Sequence, residues 1–130
     1  MAKYWIDYSD SFSPSPLSFW VHKPLDAEVW SDAVEFEPPM SSKVIDKGFP
    51  EFKIEHKRHI LVFSSLDEIE HCINVLSKKV LPTTNELANS SWMEGYQHLH
   101  WLTKWPGDIK SYKDRIAIVK LLEKLKCLKT

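Results

Sequence analysis

Six of the chain's eight prolines fall in its first fifty residues, at Pro14, Pro16, Pro24, Pro38, Pro39 and Pro50. Proline has no backbone N–H to give to a ladder or to a helix interior, so this stretch can hold only short extended pieces and turns. Within it, Tyr4-Trp5-Ile6-Asp7-Tyr8 reads as a strand with Tyr4, Ile6 and Tyr8 on one face. Leu17 to His22 alternates likewise, with Leu17, Phe19 and Val21 together. Asp26 to Glu37 admits two readings: a short helix capped by Asp26 and running through Ala33, or extended chain over Val29 to Phe36. Just beyond the prolines, Phe52-Lys53-Ile54-Glu55 alternates cleanly, His56-Lys57-Arg58 breaks the pattern, and His59 to Phe63 resumes it. This predicts a hairpin over 51–63, although the Asn-Gly pair that favours a two-residue turn is missing.

The second half has a different period. Ser65 with Glu68 three residues on is a capping box, and Asp67, Glu68 and Glu70 near the start with Lys78 and Lys79 near the end suit the helix dipole. Leu66, Ile69, Cys72, Ile73 and Leu76 share one side, which predicts an amphipathic helix over 66–79. Thr83 with Glu86 could start a short helix near Thr84. Ser111 with Asp114 marks the start of a last helix running toward Cys127. That helix carries Ile118, Leu121, Leu122 and Leu125 on one side and Tyr112, Ile116, Val119 and Cys127 on the other. A helix apolar on two sides is buried on both, or lends one to a partner. A homodimer or heteromer through the second side is one expectation.

Antiparallel strands followed by helices, without regular β–α alternation, predict an α+β fold. The expected form is an N-terminal antiparallel sheet of short strands with two or three C-terminal helices packed on one face, helix 66–79 lying across the hairpin. At 130 residues the chain is expected to form one domain, with a proline-rich strand region 1–63 and a helical region 64–130. The longest apolar runs, Ile60 to Phe63 and Ile116 to Val119, fall far short of a membrane span. No apolar signal segment follows Met1, and two cysteines, Cys72 and Cys127, sit among apolar residues. They read as reduced core thiols, so the expected location is the cytoplasm.

The densest unusual composition lies between Trp92 and Trp105, which holds three of the six tryptophans with Tyr96, His98 and His100. Such residues fill cores and also anchor interfaces. On one straight helix Trp92, Tyr96 and Leu99 would share a face, with Trp101 and Trp105 roughly opposite. Either the segment bends, or one aromatic group faces a partner. The expectation taken forward is that at least one of Trp101 and Trp105 is exposed, beside His98 or His100. The candidate partner-binding set is then Trp92, Tyr96, His98, His100, Trp101 and Trp105.

Chemical motifs are sparse. His98-Leu99-His100 and the pair His56 and His59 are partial metal-ligand spacings, with no Cys-x-x-Cys or His-Glu-x-x-His to complete them, so no metal or cofactor is expected. Three scattered glycines leave no phosphate-cradling loop. No nucleophile turn and no Cys–His dyad is present, which makes an enzyme the less favoured reading. A small enzyme with a His/carboxylate pocket stays open as an alternative.

Net charge is -1, but residues 1–75 carry seven Lys+Arg against thirteen Asp+Glu, and residues 76–130 carry ten against five. The basic half suggests a nucleic-acid alternative through Lys110, Lys113, Lys120 and Lys124, with Arg115 and the tryptophans nearby. The favoured expectation is a small soluble non-catalytic protein-binding module, an accessory, inhibitor or immunity-type factor that binds another protein or itself.

Overall fold

The computed structural model describes residues 3–12, 14–15, 17–28, 30–40, 43–80, 101 and 105–128, with the side chain of Ser31 outside that description. Strand β1 (Tyr4–Ser9) and the hairpin of β4 (Phe49–His56) and β5 (His59–Phe63) form a three-stranded antiparallel sheet in the order β1-β4-β5. Its register aligns Ile6, Phe52 and Phe63 in one row and Tyr4, Ile54 and Leu61 in the next. Side chains alternate across a strand, so both rows share one face, and Phe52, Ile54 and Phe63 are buried there. The other face carries Asp7, Glu51, Lys53 and Glu55. Lys53 Nζ meets Asp7 at 2.9 Å and Lys3 meets Glu55 at 3.5 Å, an ion-pair ladder suited to water.

Helices α2 (Leu66–Leu76) and α3 (Tyr112–Lys126) cover the apolar face, which gives the expected α+β architecture. Both caps form as the sequence indicates: Ser65 Oγ accepts from the Glu68 N–H at 3.2 Å, and Ser111 Oγ from the Asp114 N–H at 3.3 Å. The helix expected across the hairpin packs mainly on α3 and, of the strands, reaches β5, while α3 lies over β1 and β4. Of the second apolar side of α3, Val119 is buried, Ile116 is half-buried, and Tyr112 and Cys127 are exposed. Ile118, Leu122 and Leu125 are fully buried and Val119 nearly so; Tyr112 stays 45% exposed. Helix α2 stops at Leu76, three residues short of expectation. The Arg115 guanidinium explains the stop. It is buried and donates to the carbonyls of Leu76, Lys78 and Lys79, taking over acceptors that another helical turn would use.

The proline-rich stretch departs further from expectation. Leu17 to His22 is not a strand; Ser18–Val21 is one helical turn, α1. On a strand Ser18 and His22 would share a face with Trp20 between them, whereas a helical turn stacks the two, four residues apart, on the side toward α2, with Leu17 and Trp20 buried. Neither reading of Asp26 to Glu37 survives whole. Trp30–Asp32 forms a 3-10 turn, and only Lys23–Pro24 (β2) and Phe36–Glu37 (β3) pair, as a two-residue ribbon. Prolines 24, 38 and 39 leave no room for a longer ladder. Gly48 closes the turn back to β4 at φ 115°, where a Cβ would lie 2.4 Å from the Ser9 carbonyl oxygen, so only glycine fits. Cys72 is buried as expected, but Cys127 is exposed at the end of α3 and is not a core thiol. Among the described residues no helix is long and apolar enough to cross a membrane.

Candidate functional site

Trp101 and Trp105 are both buried, at 2% and 7% exposure, which overturns the expectation that one of them is exposed. Their rings meet edge to face at 5.6 Å. Trp101 Nε1 donates to His71 Nε2 at 3.2 Å, and Trp105 Nε1 donates to the Ile109 carbonyl at 3.4 Å. Each indole thus has its polar edge satisfied inside the protein, which removes the usual reason to hold one at the surface. Burial lowers the His71 imidazole below its ordinary value, and the neutral ring is the form that can accept from Trp101. Trp92, Tyr96, His98 and His100 lie outside the described residues, as does the Thr83–Glu86 capping pattern.

The two buried indoles are nonetheless walls. With Leu17, Pro106 and the residues Ile60 to Phe63 of β5, they line a cavity of about 280 Å³. The cavity runs beside β5, the edge strand of the sheet among the described residues. Lys57 and Arg58 form the hairpin turn with φ of 48° and 71°, so His56 and His59 make the closing hydrogen-bonded pair. The alternation then turns the backbone N–H and C=O of Ile60 and Val62 away from β4. The same alternation on β4 turns Glu55 outward, and its N–H donates to the Lys3 carbonyl on the β1 side at 2.8 Å. Among the described residues β5 pairs only with β4.

Sequence reasoning missed a second feature, a buried polar cluster at the start of α2. Glu68 is fully buried and accepts from Ser15 Oγ, from Ser18 Oγ at 2.9 Å, from the Ser64 N–H at 3.1 Å and from Ser65 Oγ at 3.3 Å. His22 Nε2 lies 2.8 Å from Ser65 Oγ and 3.2 Å from Glu68, and Nδ1 donates to the Pro38 carbonyl at 2.6 Å. Burial pushes the Glu68 carboxyl up, but the hydrogen bonds from His22, Ser15, Ser64 and Ser18 outweigh it and hold the group below its ordinary range. Burial likewise depresses His22, and the bonds to Glu68 and Pro38 outweigh that and raise it. Ser65, His22 and Glu68 have the residue types of a nucleophilic triad. Here the second imidazole nitrogen goes to a backbone carbonyl, and every member is closed to solvent. The cluster ties the proline-rich segment to α2. The spacing of Ser15, Ser18 and His22 was its signal, visible only if that stretch is read as helical.

The other charged candidates are committed elsewhere. His56 Nε2 donates to the Asp114 carboxylate at 2.9 Å, and His59 pairs with Asp108 at 3.0 Å. Asp114 is held well below the usual carboxylate range by His56, Ser111 and Lys57. Among the described residues no three metal-ligating side chains come together. Lys113, Lys120 and Lys124 are exposed on α3 and Lys110 is half-buried, but Arg115 is internal and both neighbouring tryptophans are buried, leaving Tyr112 as the exposed aromatic beside them.

Fold and cleft together define a class, a helix-covered antiparallel sheet with an apolar cleft beside a strand that is the sheet's edge among the described residues. Comparison with protein-family models, with curated proteins and with solved structures finds no match to this chain.

Proposed function

We propose that this protein is a non-catalytic protein-binding module, and that its partner supplies an extended segment that adds to the edge of β5. The observation that carries the reading is the juxtaposition of the outward-facing backbone groups of Ile60 and Val62 with the apolar cavity walled by Trp101 and Trp105. Strand addition uses main-chain hydrogen bonds for affinity and pockets for alternate side chains for specificity. Trp101 and Trp105 act as the walls of a receiving pocket, in place of protruding anchors. The free thiols of Cys72 and Cys127 suit a reducing, cytoplasmic setting.

The test is affinity capture from the native host with the wild type and Val62→Pro side by side. Proline is tolerated where a strand's N–H faces outward, so the variant should keep its circular dichroism spectrum while losing the outward donor. A partner held by the wild type and lost by Val62→Pro supports the reading. A partner held equally by both removes β5 from it, and an isolated catalytic activity with no specific partner overturns it.

A further inference from the structure

A second hollow lies on the proline-rich stretch and shares no lining residue with the cleft along β5. It is open, about 470 Å³, and is lined by Leu25, Val34, Glu35, Phe36, Pro39 and Met40. Val34 is 82% exposed and Leu25 54%. These side chains are held outward by a fixed loop. The Asp26 carboxylate accepts from the Val34 N–H at 3.1 Å and the Glu35 N–H at 3.2 Å, and the Leu25 N–H donates to the Glu35 carbonyl at 2.9 Å. Next to the hollow, Trp30 is packed between Phe19 and Phe36 at centroid distances of 4.6 and 4.8 Å, and its Nε1 donates to the His22 carbonyl at 2.9 Å. An apolar surface this firmly presented to water is costly unless something covers it.

The charge around it selects the cover. Asp26, Glu28, Asp32, Glu35 and Glu37 fall within residues 26–37, and the nearest cation in the ribbon, Lys23, stands opposite Glu37 across the β2–β3 pair. Asp26 is occupied with the loop. Glu28, Asp32, Glu35 and Glu37 are exposed, and none has an ion-pair partner among the described residues. An apolar hollow that has Glu35 in its lining and Glu28 and Asp32 in the same short loop favours a cationic segment with apolar side chains over phosphate.

We infer that this face docks a basic amphipathic segment of a partner protein, its apolar side chains entering between Leu25, Val34 and Met40 and its Lys or Arg meeting Glu35, Glu28 and Asp32. A second copy offers a basic surface too, the Lys113, Lys120 and Lys124 stripe of α3. Contact between two different patches of identical chains is heterologous and would build a ring or a filament; we assign the hollow to a different chain and leave self-assembly as an outcome of the test.

The probe is a synthetic amphipathic peptide of leucine and lysine, with a leucine–glutamate peptide of the same pattern as control. Binding is followed by fluorescence anisotropy, and the contacted residues are mapped by amide shifts. The lysine peptide is expected to bind with shifts confined to residues 25–40, and to weaken steeply with salt. Glu28→Gln with Asp32→Asn and Glu35→Gln should weaken it by about tenfold or more, and Val34→Ser with Leu25→Ser by a similar factor. Binding lost with the charge changes but untouched by the apolar ones would reduce the effect to diffuse attraction and overturn the site. So would equal binding of the glutamate peptide, or a preference for a nucleic-acid probe. Concentration-dependent sedimentation of the wild type, abolished by Lys120→Glu with Lys124→Glu, would make a second copy the occupant and overturn the assignment to another chain. Val62→Pro should leave the peptide affinity unchanged, so failure here and failure of the β5 reading are separable.

Discussion

Glu68 shows how one residue can be read correctly and still be underestimated. Its backbone and side chain form the capping box with Ser65, but the carboxylate also sits fully buried among three serine hydroxyls, a backbone N–H and His22. Removing one partner of a buried charged pair leaves the other uncompensated, so Glu68→Ala should cost about 3–5 kcal/mol in urea unfolding. Glu68→Gln should cost less, because it keeps the shape and some of the hydrogen bonds. The pair also sets a pH dependence. His22 is raised in the folded state, so its contribution is complete below about pH 6.5 and is lost as pH rises through the folded value. Glu68 is lowered, so its contribution is complete above about pH 4.5 and is lost as pH falls through the folded value. The two support the fold together between those limits, and His22→Gln should flatten the alkaline loss of stability seen in urea midpoints. His71 works in the opposite sense to His22, its lowered value favouring the fold above about pH 6.5. At the same scale, Trp101→Ala should cost about 3–5 kcal/mol, the usual cost of removing a large buried aromatic. A loss below about 1 kcal/mol would mean the indole is not a core side chain.

Among the elements, the hairpin holds the local conflict. Lys57 and Arg58 both occupy left-handed backbone, a conformation that Asn and Gly adopt more easily. Lys57 is retained by its ion pair with Asp114 at 3.1 Å. Arg58 has no such reason among the described residues, so Arg58→Gly should stabilise the protein by about 1 kcal/mol, read as a higher midpoint of thermal unfolding. An unchanged or lower midpoint would mean the arginine side chain contributes to the fold. The α3 cap is the matching case of agreement, and Ser111→Ala should cost about 1 kcal/mol.

For the whole molecule, α3 is the piece on which both layers depend. It packs against β1, β4 and α2, and the Arg115 side chain it carries closes the end of α2. A three-stranded sheet needs an apolar cover to persist in water. Deleting residues 111–130 should therefore abolish cooperative unfolding and the near-ultraviolet circular dichroism signal of the aromatic core. A shortened chain that still melts cooperatively would show that α2 alone can cover the sheet.

Local patterns in the sequence determined the hairpin, the two capped helices and the α+β arrangement, because strand alternation, capping boxes and helical periodicity act over a few residues. They also carried the warning that α3 is apolar on two sides, without saying what lies against each. Only the tertiary structure decided that Ile118, Leu122 and Leu125 are buried while Tyr112 and Cys127 on the other side stay exposed. It also decided that Trp101 and Trp105 turn inward as the walls of a cleft, and that Ser15, Ser18 and His22 converge on Glu68 fifty or so residues away. Those outcomes depend on contacts between distant segments. Hydrogen-bond satisfaction of a buried indole or carboxylate is settled by whichever partner the fold brings near, and the local pattern does not name that partner.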